Sequence, residues 1–159
     1  MTFQSWRTVM SLDQNKALSR KAIELWSSGD TTIVDQLFAA DYVNHQHNHP
    51  NSPQVVRGIQ AWEKFVTEFH EAFPDFLDTI EDQVAEGDKV ATRFTSRGTQ
   101  KGEIMGIAPT DRQASWTGIT IDRIENGKIA ETWGLVDTLG MLQQLRATPD
   151  SKPDAMPSQ

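Results

Sequence analysis

The hydrophobic pattern of this chain changes its period at Pro74, and that change restricts the possible folds more than any other feature. Before Pro74 the apolar residues recur at helical spacing, whereas after it they alternate in short runs that turn-forming residues separate. The dipeptide Asn126-Gly127, between two alternating runs, is a strong hairpin signal. Helices followed by an antiparallel meander predict an α+β domain with the helices on one face of a curved sheet.

The helices and strands can be placed along the chain from the same patterns. Apolar spacing predicts a helix over residues 13–28, with Ser11 or Asp13 as its N-cap and Gly29 just beyond its end. Gly58 opens the strongest helical pattern, which ends at the proline that follows Phe73. The other predicted elements are a short helix at 34–38, an extended stretch at 41–44, a polar loop at 45–53, strands at about 76–85, 89–98, 113–124 and 128–136, and a helix at 138–146 that Asp137 caps.

Composition excludes several classes of function. The chain of 159 residues carries 15 Lys and Arg against 22 Asp and Glu, and this net charge of −7 without a basic cluster argues against a nucleic acid partner. Zero cysteines exclude a disulfide framework, a Cys-rich zinc site and a thiol nucleophile. The apolar runs are too short to span a membrane and no signal pattern begins the chain, so we expect a cytoplasmic protein.

One domain accounts for most of this length. We expect residues 1–10 to be an N-terminal extension, with Met10 an alternative translation start to Met1. Residues 11–146 are predicted to form the α+β domain. Residues 147–159 combine prolines with polar residues, which predicts a disordered tail.

A set of motifs then points to a family. In order, they are Ala72-Phe73-Pro74-Asp75, the stretch from Gly98 to Arg112, Arg123-Ile124-Glu125-Asn126-Gly127-Lys128-Ile129, Trp133 with Asp137, and Leu139-Gly140-Met141-Leu142. Over about residues 13–146 this combination resembles the SnoaL-like polyketide cyclases, also called ester cyclases, within the superfamily of ketosteroid isomerase and nuclear transport factor two. The resemblance implies a cone-shaped barrel, in which a curved antiparallel sheet and N-terminal helices on its concave face surround an apolar pocket.

The resemblance also implies a reaction and a set of pocket residues. The family's known chemistry is an intramolecular aldol ring closure, of lyase or isomerase type, on a small hydrophobic molecule, with no metal or organic cofactor. The family's pocket Asn falls on Asn44 and is kept, but its His falls on Thr120, its Gln on Gly118 and its acid/base Asp on Gly134. Because acid–base catalysis needs a titratable group, two interpretations stay open: an enzyme that moves protons with another residue, or a catalytically silent module that binds a hydrophobic ligand.

Two residues are candidates for the missing acid/base. His45 follows Asn44 in the region where ketosteroid isomerase carries its base. With His47 and His49 it could instead bind a divalent metal or belong to a solvated loop, and we predict no metal site. Asp122 lies two residues beyond Thr120 and so on the same strand face, although an acid at a strand end is commonly just solvated.

The remaining expectations concern the pocket wall and the opposite sheet face. His70 is expected at the surface, on the polar side of its helix. The face away from the pocket shows apolar side chains that predict a homodimer packed sheet to sheet, namely Ile119, Ile121, Ile129, Trp133 and Leu135. The predicted substrate-binding residues are Asn44, Trp26, Tyr42, Trp62, Phe65, Phe69, Trp116, Thr120 and Gly134.

Overall fold

The computed structural model describes residues 10–46 and 55–146, and it confirms the α+β class. The predicted strands after Pro74 and the predicted helices lie within a few residues of their observed bounds. The helices are α1 (Leu12–Ser28), α2 (Val34–Leu37), α3 (Ile59–Ala72) and α4 (Thr138–Arg146). The strands are β1 (Phe38–Gln46), β2 (Val55–Arg57), β3 (Leu77–Glu86), β4 (Lys89–Thr99), β5 (Gln113–Glu125) and β6 (Lys128–Val136).

All six strands form one curved sheet in the order β2-β1-β6-β5-β4-β3, and the sheet does not close. The expectation of a wholly antiparallel sheet is wrong at one place, because β1 pairs with β6 in parallel. A parallel pair needs a long crossover connection, and here α3 and the β3–β5 meander lie between the two strands. The three-residue strand β2, which pairs with β1, is too short to show a pattern in the sequence.

The predicted helix caps are confirmed. Ser11 is the N-cap of α1, and its side chain forms a reciprocal capping box with Gln14. Gly29 ends the same helix in the left-handed conformation, with φ of 71°. Asp137 caps α4, because its Oδ1 accepts a hydrogen bond of 2.8 Å from the backbone N of Gly140.

Three local expectations differ from the structure. Met10, assigned to the extension, packs against the core. His70 is half-buried, with Nε2 2.8 Å from the carbonyl oxygen of Trp26, one of the last carbonyls of α1 and so without a partner in that helix. Ile129 is fully buried, because the β5–β6 register shifts between Arg123 and Ile124 and thereby reverses the face on which Ile129 lies.

Other expectations fall outside the described residues. These are residues 1–9, the tail from 147 to 159, and both His47 and His49. Over 10–46 and 55–146, the structure contains no helix long and apolar enough to cross a membrane.

Candidate functional site

A cavity of about 140 Å³ lies between the concave face of the sheet and the helices α1, α3 and α4. Its wall is mainly aromatic and aliphatic, with a few polar side chains, which is the usual character of a small-molecule site. Every residue predicted to bind substrate lies on this wall, and whether each contacts a ligand stays a prediction. These residues are Asn44, Trp26, Tyr42, Trp62, Phe65, Phe69, Trp116, Thr120 and Gly134.

Trp26 of α1 is the centre of the aromatic wall. Its ring stacks on Phe65 with centroids 5.5 Å apart and an interplanar angle of 17°. It also lies 5.0 Å from Phe69 and 5.7 Å from Phe76. Offset and edge contacts of this kind hold aromatic rings in fixed orientations, so the wall offers preformed flat surfaces to a ligand.

Polar residues of three adjacent strands meet at one level of the sheet. Asn44 of β1 is the register partner of Thr132 of β6, which is in turn the partner of Asp122 of β5. All three side chains are buried and line the cavity. The Thr132 hydroxyl donates a hydrogen bond of 2.7 Å to Oδ1 of Asp122. Asn44 and Asp122 therefore lie on either side of Thr132, at the same level of the sheet.

Asp122 is not a solvated strand-end acid, because the residue is only 3% exposed. Burial raises the pKa of its carboxyl group to about 6, and the hydrogen bond from the Thr132 hydroxyl acts in the opposite direction. Burial also raises the pKa of Tyr42 above its ordinary value, which keeps the phenol neutral. Thr132 thus lies between the Tyr42 phenol and the Asp122 carboxyl group.

Two further polar atoms in this region are free to meet a ligand. Oδ1 of Asn44 and Oγ1 of Thr120 are buried and have no hydrogen-bond partner within the described part of the chain. An unpartnered polar atom in an apolar site is unfavourable by roughly 1–3 kcal/mol. A ligand that supplies partners to these atoms is therefore bound more tightly than a pure hydrocarbon.

His45 lies away from these residues. Its ring stacks on Trp133, with centroids 5.2 Å apart and planes 3° from parallel, and its Nε2 is 3.8 Å from Oε1 of Glu131. The expected loop does not begin at His45, since β1 continues to Gln46, and neighbours on a strand face opposite sides. With Asn44 on the cavity side, His45 is placed on the outer face, and we assign it no role in the cavity.

The residues described do not bring together three or more histidine, cysteine or acidic side chains that could hold a metal ion. Of the three histidines considered as metal ligands, only His45 lies within the described residues, where its ring is next to Glu131 and Trp133.

Gly118 and Gly134, where the resemblance implies polar pocket residues, differ in the space around them. A Cβ atom at Gly118 would lie 2.6 Å from Phe94 and 2.8 Å from Val136, so the Phe94 ring occupies the space of a side chain at this position. A Cβ atom at Gly134 would meet only Thr120 Cγ2, at 3.8 Å. Position 134 therefore has room for a side chain, and position 118 does not.

We expect Gly118→Ala to lower the free energy of unfolding by about 1–3 kcal/mol, because a methyl group there overpacks the core. Gly134→Ala, the matched control, is expected to leave the free energy of unfolding within about 1 kcal/mol of the parent's. Urea denaturation of both variants measures this difference. Equal loss in the two variants would contradict the assignment of open space to Gly134.

Sequence reasoning missed Asp78 of β3, which lines the cavity. Its Oδ1 accepts a hydrogen bond from the Ser96 hydroxyl, and burial raises the pKa of its carboxyl group to about 7. Asp78 shares strand parity with Phe76, a buried aromatic residue, and this parity was the signal that could have found it.

The loop between β4 and β5 closes one side of the cavity with Ile104 and Met105. Gln100, which is fully buried, fixes this loop. Its Oε1 accepts a hydrogen bond of 2.7 Å from Oγ1 of Thr110. Its side-chain nitrogen donates to the backbone oxygens of Gly102, Ile107 and Ala108, at 3.0, 2.9 and 3.2 Å.

Comparison with known proteins gives a consistent result. The model of the family described as SnoaL-like polyketide cyclase matches residues 16–145. The chain is 30% identical over 132 residues to the aklanonic acid methyl ester cyclase DnrD of Streptomyces peucetius, which covers 80% of this chain and 88% of that protein. It is 26% identical over 127 residues to the nogalonic acid methyl ester cyclase of Streptomyces nogalater, covering 77% of this chain and 90% of that protein.

Solved structures share the fold. IdmH of Streptomyces antibioticus, a candidate polyketide cyclase, superposes with a TM-score of 0.72 at 33% identity, covering 83% of this chain and 98% of that one. TsrD of Streptomyces laurentii gives a TM-score of 0.75 at 29% identity, covering 87% of this chain and 99% of that one.

Proposed function

The chain belongs to the SnoaL-like polyketide cyclase family, and on that premise we propose that it closes or isomerises a ring in an apolar polyketide-like substrate by cofactor-free proton transfer. Asp122 is the acid/base in this proposal, in place of the carboxylate that the family carries at the position of Gly134. Asn44 and Thr120 bind oxygen atoms of the substrate, and the aromatic wall binds its rings.

The proposed reaction is an internal aldol addition. The Asp122 carboxylate removes a proton from an acidic carbon of the substrate, which gives an enolate. The enolate carbon then attacks a carbonyl carbon of the same molecule, forming the new C–C bond and an alkoxide. The alkoxide takes the proton back from Asp122, so the product is an isomer of the substrate. The Thr120 hydroxyl can donate to the enolate oxygen, and Oδ1 of Asn44 can accept from a substrate hydroxyl.

One observation carries this proposal: a buried carboxyl group lies on the cavity wall beside the vacated position. Asp122 pairs with Thr132, and Gly134 pairs with Thr120, so Asp122 and Gly134 are diagonal neighbours on adjacent strands. Diagonal neighbours lie about 7–8 Å apart. A pKa near 6 leaves most of the carboxyl group ionised at pH 7 and still able to return a proton. In this proposal the acid/base group therefore lies on β5 and not on the neighbouring strand β6, within the same cavity.

Turnover of the relatives' substrates tests the proposal. Purified protein is incubated with aklanonic acid methyl ester or nogalonic acid methyl ester, and the mixture is separated by chromatography with mass detection. We expect a new peak of unchanged mass, since an internal aldol addition makes an isomer. Binding of both compounds with no new isomer would contradict the enzyme proposal and favour the silent binding module.

The outer face of the sheet supports a homodimer. Ile119, Ile121 and Leu135 are 48%, 39% and 59% exposed there, around Trp133. A continuous exposed apolar patch is unusual on a soluble monomer. Ile129 is not part of this patch, because it lies in the core.

We therefore expect sedimentation at micromolar concentration to give twice the chain mass of 17.9 kDa. Substituting both Ile119 and Leu135 with Lys should shift the protein to a monomer, since charges would then oppose each other across the contact. A parent protein that sediments as a monomer would contradict the prediction.

A further inference from the structure

A second carboxyl group, which the proposed reaction does not use, lies at the other end of the cavity wall. Asp78 of β3 is the register partner of Ser96 of β4, and Ser96 is the partner of Trp116 of β5. Trp116 and Asp122 are six residues apart on β5, which is about 20 Å along an extended strand. A molecule of two fused rings cannot reach both carboxyl groups at once.

Hydrogen bonds fix the position of Asp78, and they involve only one of its two carboxyl oxygen atoms. Its backbone N donates a hydrogen bond of 2.9 Å to Oγ of Ser27, which links β3 to the end of α1. The Ser96 hydroxyl donates to Oδ1. Its Oδ2 is buried and has no hydrogen-bond partner among residues 10–46 and 55–146.

Flat rings frame this end of the cavity. The rings of Phe76 and Trp116 are stacked with centroids 6.0 Å apart, and Trp26 meets Phe76 edge to face at 5.7 Å. Such surfaces accept an aromatic ring, and a polar group on that ring then comes close to the unpartnered carboxyl oxygen.

The chemistry of the carboxyl group selects among possible polar groups. Burial holds the pKa of Asp78 near 7, so both its ionised and its neutral form are populated at neutral pH. A ligand hydroxyl can donate to the carboxylate and can accept from the carboxylic acid. A carbonyl oxygen matches only the neutral form, and an ammonium group matches only the ionised form.

We propose that Asp78, with Ser96, forms a hydroxyl-recognition subsite that selects flat aromatic substrates carrying a hydroxyl group on the ring farthest from Asp122. The inference rests on the proposed function in one respect, since it takes the cavity as the substrate site. It does not depend on turnover.

Calorimetric titration with a pair of probes of equal size tests the subsite. The parent protein is expected to bind 2-naphthol about tenfold more tightly than 2-methylnaphthalene, because only the hydroxyl can pair with Asp78. Asp78→Leu should remove most of this preference while it still binds 2-methylnaphthalene, which shows that the cavity is intact. Asp78→Asn, which keeps a donor and an acceptor, should retain most of the preference.

Asp82→Leu is the matched control, since it removes an exposed aspartate of the same strand that lies outside the cavity wall. It should leave the preference for 2-naphthol unchanged. A preference that is as large in Asp78→Leu as in the parent, or that is lost equally in Asp82→Leu, would overturn the inference. Tighter binding of 2-naphthylmethylamine than of 2-naphthol would also overturn it, because it would identify a cation site. If the protein does not cyclise the substrates but keeps the preference for 2-naphthol that depends on Asp78, only the proposed reaction would be rejected.

Discussion

Asp122→Asn is expected to lower turnover of the cyclisation substrate by about 10²–10⁴-fold, because the amide cannot take or return a proton. The amide has nearly the same shape as the carboxyl group and can still accept a hydrogen bond from Thr132, so the fold should be retained. Asp41→Asn, at an exposed aspartate of β1, is the matched control and should turn over substrate as the parent does. Steady-state rates of the three proteins measure the effect, and an Asp122→Asn variant with the parent's rate would remove Asp122 from the mechanism.

The same substitution has a predicted pH signature. The carboxylate is the active base, so the parent's rate should rise as pH increases through about 6 and then level off. Stability should move in the opposite direction. The pKa of Asp122 is higher in the folded state than the ordinary 3.8. Its contribution to the free energy of unfolding is therefore fully present below pH 3.8, and about 3 kcal/mol of it is lost as pH rises through 6. Urea denaturation at pH 4 and pH 8 measures this decrease in the free energy of unfolding, and Asp122→Asn should not show it.

A carboxylate at position 134, where the resemblance implies the acid/base, should restore activity. In the Asp122→Asn background, Gly134→Asp is expected to raise turnover at least tenfold over the single variant. A side chain at Gly134 has room, since its Cβ would lie 3.8 Å from Thr120 Cγ2. Gly134→Asn in the same background is the control and should give no recovery. A double variant that folds, shows a raised pKa for the introduced carboxyl group by NMR titration and remains inactive would indicate that Asp122 has a role other than proton transfer.

Much of the cavity wall could be predicted from periodicity. Helical spacing places Trp26, Phe65 and Phe69 on buried helix faces, and strand alternation places Trp116 and Thr120 on one face of β5. These patterns predict burial because local geometry sets which face of an element meets the core. The repeat is 3.6 residues per turn in a helix and two residues in a strand.

Features that depend on pairing between distant segments could not be predicted in this way. Asp122 is near a turn in sequence but is buried because α1 lies over the sheet there, with Ser19 facing the carboxyl group. His45 lies on the outer face of the sheet and not in the cavity, because β1 continues past it to pair with β2 and β6. Ile129 reverses its face at a register shift, which leaves no mark on the alternation of apolar residues in β6.

Proton transfer by Asp122 is tested most directly by deuterium exchange into the substrate. Aklanonic acid methyl ester is incubated in D₂O with the parent protein, with Asp122→Asn or without protein, and the recovered substrate is analysed by mass spectrometry. We expect the parent to incorporate deuterium at the acidic carbon well above the protein-free rate, and Asp122→Asn to match the protein-free rate. Equal deuterium uptake with the parent and with Asp122→Asn would contradict the assignment of Asp122 as the base.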